Sequence, residues 1–453
     1  MKIYDYIFIG AGSGLITLSA LEKKKFKIAL IEEGPLGGTC LNRGCIPSKM
    51  LIAAADFYQN LSKEKKFHIG LGEKKIDFDS IIKDVKKIIM KEEKELSSYY
   101  EKSPYVDLYR SHGRFISPYA IEVDGKIIKG RNIILNVGGR PRIPPIDGLK
   151  DTPYITSDDI LNIKTKPKKM VVIGTGYIGV EYGFFFGALQ TDVHLIGNRK
   201  VLESEDRDIV DEFKKGIGKY CNFHENCEIK KVTYKKGNFS IDFIENKKRK
   251  KISCDTLLVT TGREPNTQDL GLENTYIELL KNQLIKVNNY LETTQKKVWA
   301  FGDCIEGFFF KHSANFEAQY LKEYFLSRKK RKIAYPEVPY AVFSYPEIAS
   351  VGKKEKDLNR ESYFIGKARY TESARGISLK EELGFAKLIF DKKSKKLIGA
   401  QIVGAEASNM IHILIALMSK KSKLEDLMNF IYIHPALPEI IKKSAEDAFL
   451  KIS

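Results

Sequence analysis

The sequence has no apolar run that approaches the roughly 18 residues needed to cross a membrane. Met1 leads within a few residues into a strand pattern, without the basic segment and apolar core of a secretory signal. Cysteine is scarce, at 6 in 453 residues, which argues against a fold held together by disulfides. These absences predict a soluble cytoplasmic protein that does not bind membranes.

Charge is plentiful and unbalanced, with 76 basic and 58 acidic residues giving a net charge of +18. Most lysines are spread along the chain, and two dense runs, 247–251 and 329–332, fall at an expected hairpin turn and an expected interdomain connection. Charge alone is weak evidence for nucleic acid, so a solvated surface is predicted. A polyanion-binding scaffold is the alternative from a different functional class.

A chain of 453 residues is too long for one hydrophobic core and predicts roughly two to four domains.

Residues 37–49 contain the pattern that most directly suggests chemistry. Cys40 and Cys45 lie five positions apart among glycines, and Pro-Ser-Lys49 leads into an apolar run at 50–55 that predicts a helix. Backbone N–H groups and the dipole at a helix start favour thiolate over thiol. Such a pair can open and close as a disulfide and exchange two electrons. By spacing alone, a static disulfide or two core cysteines remain open.

The chain opens with a strand, a glycine turn at Gly10, Gly12 and Gly14, and a helix to about Lys24. A second strand at 27–31 ends in Glu32. This βαβ pattern predicts a dinucleotide site, with the pyrophosphate at the helix start and Glu32 accepting from a ribose hydroxyl. Leu15 departs from the motif, because it stands where the last glycine is usual.

A second glycine motif has all three glycines, at Gly174, Gly176 and Gly179. It follows an apolar strand and opens a helix that runs to about Gly187, with another strand at 191–196. Two dinucleotide folds suggest two dinucleotides. Together with a redox cysteine pair, they indicate electron transfer between a nicotinamide and a disulfide through a flavin.

Further boundaries follow along the chain. Two buried strands end in glycines, at Gly138 and at Gly262, and a later strand ends at Asp303, which is expected to accept from a chain of hydroxyls. From residue 338 the pattern predicts an α+β unit that finishes with His434, Glu439 and a terminal helix.

The other four cysteines are predicted to be inert. Cys221, His224 and Cys227 offer three possible metal ligands, but they fall where a connecting strand is expected. No metal site is therefore predicted.

The chain resembles the class I flavoprotein disulfide reductases in five features. In chain order they are the first glycine motif, the cysteine box at residues 37–49, the second glycine motif, the Gly-Asp box Gly302-Asp303, and the His434–Glu439 pair. This family includes dihydrolipoamide dehydrogenase, glutathione reductase, mycothione reductase and mercuric reductase. The resemblance implies an α/β fold with two Rossmann-like domains for FAD and NAD(P) and a C-terminal α+β dimerisation domain. The implied boundaries are 1–150 with 272–335 for FAD, 151–271 for NAD(P) and 336–453 for dimerisation.

The resemblance also implies roles for the two cysteines and for the bases near them. Cys45 would be the charge-transfer thiolate beside the flavin, and Cys40 the thiol that exchanges with substrate. His434 would act from the other subunit of a homodimer as the general base, oriented by Glu439. A thiol of pKa near 8.5 needs such a base near pKa 6.5 to become nucleophilic at neutral pH.

Three further residues have implied places beside the FAD. Lys49 and Glu181 would form an ion pair next to the flavin, and Thr39 belongs to the cysteine box that lines the cofactor. Tyr177 matches a side chain that covers the flavin until the nicotinamide arrives, although an ordinary packing tyrosine remains open.

The nicotinamide preference depends on the residues after the strand at 191–196. Enzymes that use NAD place an acid there, whereas NADP users place a cation for the 2′-phosphate. Here the position is Gly197, followed by Asn198, Arg199 and Lys200. The pattern favours NADP(H), although both cations can equally belong to a lysine-rich surface.

The disulfide substrate is less constrained. The resemblance places basic side chains on the first helix of glutathione reductases, where this chain has Ala20 and Leu21. Dihydrolipoamide dehydrogenase is therefore the first prediction, with a lipoyl-bound or small disulfide as substrate and a 2-oxo acid dehydrogenase complex as a candidate partner. The run from Ile433 to Glu439 resembles mycothione reductase, so an NADPH-dependent reductase of another small disulfide, mycothione- or glutathione-reductase-like, is the alternative. The cysteine pair expected near the end of mercuric reductases is missing.

Overall fold

The computed structural model describes residues 1–452. The first 150 residues begin with alternating strands and helices and continue with five consecutive strands. The strands there are β1 (Lys2–Ile9), β2 (Ile28–Ile31), β3 (Val106–Tyr109), β4 (Gly113–Ser117), β5 (Ala120–Val123), β6 (Lys126–Leu135) and β7 (Gly139–Pro141). The helices are α1 (Gly14–Glu22), α2 (Gly38–Asn42), α3 (Cys45–Leu61) and α4 (Phe78–Glu101).

The middle of the chain repeats this alternation and adds an antiparallel sheet. Its strands are β8 (Ile155–Thr156), β9 (Lys169–Ile173), β10 (Asp192–Ile196), β11 (Cys221–His224), β12 (Glu228–Lys235), β13 (Asn238–Glu245), β14 (Lys248–Cys254), β15 (Thr256–Val259) and β16 (Arg263–Pro265). Its helices are α5 (Tyr177–Ala188) and α6 (Arg207–Ile217). The chain then returns through β17 (Val298–Ala300) and α7 (Lys311–Leu326).

The C-terminal part combines one antiparallel sheet with helices. The strands are β18 (Tyr340–Val342), β19 (Ile348–Gly352), β20 (Tyr363–Arg369), β21 (Phe385–Asp391) and β22 (Leu397–Val403). The helices are α8 (Ala374–Ser378), α9 (Ala407–Ser419), α10 (Leu424–Asn429) and α11 (Glu439–Leu450). The sheet order is β18-β19-β22-β21-β20, and α9 and α11 pack against it.

The first sheet gathers the ends of four parallel strands at one edge. Its order is β3-β2-β1-β6-β5-β4, and β17 pairs with β6. The strands β1, β2, β6 and β17 are parallel, so the residues that follow each of them come together. Ligands of open α/β sheets bind at this edge. The residues brought there are Gly10, Glu32, Asn136 and, three positions after β17, Asp303.

The second parallel sheet, in the order β11-β10-β9-β15-β8, repeats this arrangement. The turn after β9 begins at Gly174, as the turn after β1 begins at Gly10. Both glycines have positive φ, and a Cβ would lie 2.2 Å from the Asn136 carbonyl oxygen in one case and 2.5 Å from the Thr260 carbonyl oxygen in the other. Only glycine allows these turns to pass so close to the neighbouring strand. Two Rossmann-like domains and a C-terminal α+β domain are thus confirmed as the fold class.

The sequence located the elements better than it located their ends. The helix predicted from the apolar run at 50–55, with the cysteines near its start, is α3, which extends from Cys45 to Leu61. The first helix, predicted to reach about Lys24, ends at Glu22. Of the basic run 247–251, Lys247 lies in the turn between β13 and β14, and the other four residues belong to β14. Among residues 1–452, no helix combines the length and the apolar character needed to cross a membrane.

A buried cluster of charged side chains connects the start of α6 to the C-terminal sheet. Lys387 on β21 is fully buried, and its Nζ lies 2.8 Å from Asp206 and 2.7 Å from Asp208. Glu355 adds a third carboxylate at 3.4 Å. Since removing one partner of a buried ion pair strands the other charge, these contacts fix the two parts of the chain against each other.

Candidate active site

The two cysteines of residues 37–49 lie at neighbouring helix ends. Cys40 is within the short helix α2, and Cys45 is the first residue of α3. Both are free thiols, and they are joined by a hydrogen bond. Gly44 lets the chain fold back between them, because a Cβ there would lie 2.9 Å from the Thr39 carbonyl oxygen. The predicted position of a cysteine at a helix start is thus correct for Cys45.

The hydrogen bond between the thiols separates their acidities. It lowers the pKa of Cys40 to about 7, and the charge of Lys311 and the backbone N–H groups of Cys45 and Ile46 act in the same direction, against the effect of burial. The same hydrogen bond, with burial, raises the pKa of Cys45. The pair therefore holds a thiol that ionises more readily than an isolated cysteine. The roles of Cys40 as the nucleophile towards substrate and of Cys45 as the thiolate beside a flavin stay predictions.

The lowered pKa of Cys40 has a measurable consequence. In enzyme reduced to the dithiol and freed of reductant, we expect alkylation by iodoacetamide to accelerate as pH rises through about 7. Below that pH the thiol is protonated and slow. The fast phase should be absent from Cys40→Ser, the control. A single midpoint near the ordinary value of about 8.5 would contradict the assigned acidity.

The cysteine box rests directly on the first glycine turn. Gly37 N–H donates to the Ala11 carbonyl oxygen at 2.9 Å, and a Cβ on Gly38 would lie 2.8 Å from the Gly12 Cα. The redox pair is therefore held at the edge of the first sheet, beside the predicted dinucleotide site.

The turn itself is fixed by two side chains from neighbouring strands. Asn136 Oδ1 accepts from Gly14 N–H at 2.7 Å, and Glu32 Oε2 accepts from Ala11 N–H at 2.7 Å. Glu32 Oε1 accepts from Gly34 N–H at 2.9 Å, so the carboxylate is fixed at the end of β2. In this type of fold, a carboxylate at this position accepts a hydrogen bond from a ribose hydroxyl of the dinucleotide. An FAD bound here would place its diphosphate at the start of α1 and a ribose near Glu32.

Asp303 closes the same site from the end of β17. Burial raises the pKa of its carboxyl, opposed by the charge of Arg263, whose Nε lies 3.5 Å from Asp303 Oδ2, and by Lys311. A Cβ on Gly138 would meet no atom within 4 Å, so space for a ligand is open at the end of β6. The residues that would hold FAD are thus the first glycine turn, Glu32, Thr39, Lys49, Gly138 and Asp303.

Lys49 on α3 and Glu181 on α5 form an ion pair of 2.7 Å. Glu181 is only 4% exposed, and its other oxygen accepts from Phe343 N–H at 3.1 Å. Burial raises the pKa of Glu181, and Lys49 opposes this rise. The ion pair connects α3, which begins at Cys45, to α5, which begins in the second glycine motif.

The second glycine motif leaves room in front of α5. A Cβ on Gly176 would meet no atom within 4 Å, whereas Gly179 packs against Gly174. Tyr177 begins the helix, and its ring centroid lies 6.4 Å from that of Phe310. Burial raises the pKa of Tyr177 to about 12, so the side chain is a neutral phenol at physiological pH. Gly262 lies at the end of the neighbouring strand β15, facing Arg142.

The structure gives a reason for the missing acid after β10. A Cβ on Gly197 would lie 2.3 Å from Thr175 Oγ1, so no side chain fits there. Arg199 and Lys200 are exposed just beyond it, and the Arg199 guanidinium lies 3.6 Å from Glu203. The nicotinamide prediction therefore depends on two solvated cations, one of them partly neutralised.

His434 and Glu439 meet as predicted within one chain. Nδ1 of His434 lies 2.9 Å from Glu439 Oε1, and Glu439 Oε2 accepts from Ala436 N–H at 2.9 Å. The hydrogen bonds lower the pKa of Glu439. The His434 side chain is 71% exposed, and the apolar Ile431 and Ile433 beside it are also exposed. Within residues 1–452, no hydrogen bond joins His434 to either cysteine.

Sequence reasoning missed three polar side chains of the site. Asn136, Arg263 and Lys311 belong to it only because distant strands end together. For Asn136 a signal existed, since it is a polar residue directly after a buried strand. Among residues 1–452, the carboxylates of Asp206, Asp208 and Glu355 lie close enough together to share a metal ion, and Lys387 bonds to all three. Cys221 and His224 lie on β11, as the connecting strand predicted.

One known protein family, several curated proteins and a solved structure match nearly the whole chain. The family described as "Pyridine nucleotide-disulphide oxidoreductase" matches residues 4–323, and its dimerisation domain matches residues 338–445. A "Dihydrolipoyl dehydrogenase" of Bacillus subtilis is 32% identical over 98% of this chain and 96% of that protein. A "Mercuric reductase" of Lysinibacillus sphaericus is 30% identical over 98% of this chain and 82% of that protein. The solved structure of the "HOCl-induced flavoprotein disulfide reductase RclA from Escherichia coli", as a Cu(II) complex, has a TM-score of 0.89 at 26% identity and covers 100% of both chains.

Proposed function

The chain belongs to the pyridine nucleotide-disulphide oxidoreductase family, and from this premise we propose that it is an FAD-dependent enzyme of the dihydrolipoyl dehydrogenase type. It exchanges electrons between NAD(P)(H) and a lipoyl or similar disulfide through Cys40 and Cys45. The observation that carries the proposal is the Cys40–Cys45 dithiol at the start of α3, beside a turn and acids that fit FAD. Relatives named dihydrolipoyl dehydrogenase, which match nearly the whole chain, support the substrate class.

The surface of α1 supports a substrate without carboxylates. None of its nine residues is basic, and Leu21 is fully buried. A disulfide with several carboxylates gains no cation from this helix, whereas a neutral lipoamide needs none. A reductase of another small disulfide, mycothione- or glutathione-reductase-like, is the second candidate, favoured by the run from Ile433 to Glu439.

The chain's own residues account for the thiol chemistry. In the reductive direction, the Cys40 thiolate attacks one substrate sulfur and expels a thiolate, which takes a proton from His434 of the partner subunit. The Cys45 sulfur then attacks the Cys40 sulfur of the mixed disulfide, forming the Cys40–Cys45 disulfide and releasing the second substrate thiol with the Cys45 proton. Dithiol oxidation is the reverse. FAD, when bound, carries the two electrons between the nicotinamide and this cysteine pair.

Two charged contacts prepare the site for this exchange. Lys49 places a positive charge beside the pair and is itself fixed by the buried Glu181. Glu439 holds the His434 ring by Nδ1, which leaves Nε2 as the atom that exchanges a proton.

The dimerisation domain supports a homodimer, and we propose that it completes the active site. The His434–Glu439 pair is preformed but exposed in the single chain, with exposed isoleucines on the same segment. Association would cover this apolar surface and place His434 against the partner's cysteine pair. A 2-oxo acid dehydrogenase complex is the proposed larger partner, because such a complex carries lipoyl groups.

A substrate panel tests the proposed function. Lipoamide, glutathione disulfide, mycothiol disulfide and coenzyme A disulfide are each assayed with NADH and NADPH, and dihydrolipoamide with both oxidised nicotinamides. Cu(II) and Hg(II) are further arms, since relatives include a mercuric reductase and the Cu(II) complex of RclA. Lipoamide turnover with kcat/KM at least ten times that of any other substrate is expected. A preference for another disulfide would replace the substrate assignment but keep the family chemistry.

A colourless protein without any thiol-dependent nicotinamide turnover would instead sink the enzyme proposal. Retention of such a protein on a polyanion column at high salt would then favour the scaffold alternative.

The nicotinamide preference is tested by removing the two cations together. We propose NADP(H), and expect Arg199→Ala/Lys200→Ala to lower kcat/KM for NADPH by about 10-fold or more while leaving NADH nearly unchanged, because charge-assisted contacts to a phosphate are lost. Lys235→Ala/Lys236→Ala, on the antiparallel sheet, is the control. Equal effects on both cofactors would assign the cations to the solvated surface.

A further inference from the structure

Lys311 contacts the first glycine turn from the start of α7. It is the first residue of α7, and its Nζ donates to Ser13 Oγ at 2.9 Å. Ser13, between Gly12 and Gly14, donates to Asn315 Oδ1 on the same helix at 3.0 Å. The ammonium is therefore held against the turn by α7, across 298 positions of sequence.

The position of α7 itself is well determined. Thr17 Oγ1 on α1 donates to the Ala318 carbonyl oxygen at 2.7 Å, and both groups are buried. Phe310, directly before Lys311, contacts Tyr177 of the second glycine motif. Lys311 thus stands where the two predicted dinucleotide sites approach each other, on a helix that cannot shift without breaking buried contacts.

Three carboxylates lie close to this site. Glu32 and Asp303 line it, and the buried Glu317 accepts from Gly302 N–H at 2.7 Å. The charge of Arg263 is paired with Asp303. An FAD diphosphate adds two negative charges, which backbone N–H groups at a helix start offset only in part. Among residues 1–452, Lys311 is the only basic side chain that hydrogen-bonds to the residues of the turn, 10–14.

The field of Lys311 extends from the turn to the redox pair. Its charge lowers the pKa of Asp303 and that of Cys40, so both groups lie within its electrostatic reach. One ammonium therefore contacts the turn that would receive the diphosphate and acts on the cysteine that exchanges with substrate.

We propose that Lys311 is an FAD-binding residue, whose ammonium pairs with the anionic diphosphate of the cofactor at the Gly10–Gly14 turn. The inference rests on the proposed FAD-dependent function. It adds a cation to a binding motif whose sequence pattern needs none, because the motif recognises the diphosphate through backbone N–H groups.

FAD release from the purified holoenzyme tests the assignment. Release is followed by the rise in free-flavin fluorescence after dilution, at low and at high salt. Lys311→Met should release FAD about 10- to 100-fold faster, the effect of losing one charge-assisted hydrogen bond. Lys311→Arg, which keeps the charge, should stay close to the parent. Lys322→Met removes a lysine elsewhere on α7 and should leave release unchanged.

Salt separates a charge contact from a purely structural role. High salt should accelerate FAD release from the parent more than from Lys311→Met, since only the parent has an ion pair to screen. Equal release rates in the parent and Lys311→Met, or an equal response to salt, would overturn the assignment while leaving a yellow, active enzyme.

Two further outcomes are distinguishable. If Lys311→Met does not fold, the rate of FAD release is measured instead for Lys311→Gln and for the parent protein at low and high salt. An FAD release rate from the parent that does not change with salt would reject the proposal. A parent protein that purifies without flavin would instead reject the proposed function.

Discussion

Cys45→Ser is expected to lose disulfide reductase activity by on the order of 10³-fold or more, while the protein still folds and binds FAD. The serine cannot attack the mixed disulfide on Cys40, so the substrate thiol stays covalently bound and turnover stops. The serine hydroxyl can still donate to the Cys40 sulfur, and this contact is the largest cause of the lowered pKa of Cys40. Alkylation of Cys40 should therefore still accelerate as pH rises through about 7.

Three measurements check this result. Steady-state turnover with the best disulfide gives the loss, mass spectrometry detects the trapped adduct on Cys40, and absorbance on partial reduction reports the predicted contact of Cys45 with the flavin. The long-wavelength band should disappear in Cys45→Ser. Transfer of electrons from nicotinamide to an artificial acceptor should persist, because it bypasses the cysteines.

Cys227→Ser is the matched control. Cys227 is buried, and its thiol contacts the Glu225 carbonyl oxygen at 3.5 Å, a contact that a hydroxyl can keep. Activity near that of the parent is expected. Full turnover in Cys45→Ser, or persistence of the long-wavelength band, would remove Cys45 from its proposed role.

His434→Gln lowers turnover by about 10²- to 10⁴-fold, the usual contribution of a positioned acid–base group. Glutamine keeps a similar size but cannot carry the proton that the leaving thiolate needs. Glu439→Gln should have a smaller effect in the same direction, because it weakens the hold on Nδ1 without removing the ring. Turnover at saturating disulfide is the measurement, with the exposed His412→Gln on α9 as control.

A mixed dimer reveals whether the active site is shared. Cys40→Ser and His434→Gln chains are each inactive alone, yet a heterodimer has one site with an intact cysteine pair and an intact histidine from opposite chains. Random mixing should then restore about a quarter of the parent activity, because half the dimers are mixed and half their sites are complete. No recovery in verified heterodimers would show that each chain uses its own His434.

Much of the chemistry was readable from short stretches. A strand that enters a glycine turn before a helix, and two cysteines at a helix start, are local arrangements, so the residue types at their spacing predict them. The family, the α/β fold class and the element order were correct for this reason. Helix ends were less accurate, as α3 shows: Cys45 through Lys49 form a helical turn that glycine and proline made hard to recognise.

The substrate, the nicotinamide preference and the domain boundaries stay predictions. Substrate recognition depends on side chains outside the glycine and cysteine motifs, and these motifs do not constrain them. Arg199 illustrates the difficulty, because its exposure and its contact with Glu203 are compatible with either cofactor.

The sequence by itself located the Cys40–Cys45 pair, the two glycine turns and their order. Only the tertiary structure decided which distant groups complete them: Glu181 pairs with Lys49 across 132 positions, and Asn136 and Lys311 hold the first turn from β6 and α7. It also decided why Gly197 excludes an acid, through contact with Thr175. The physical reason is that turn geometry follows from neighbouring residues, whereas these contacts depend on which parallel strands end side by side.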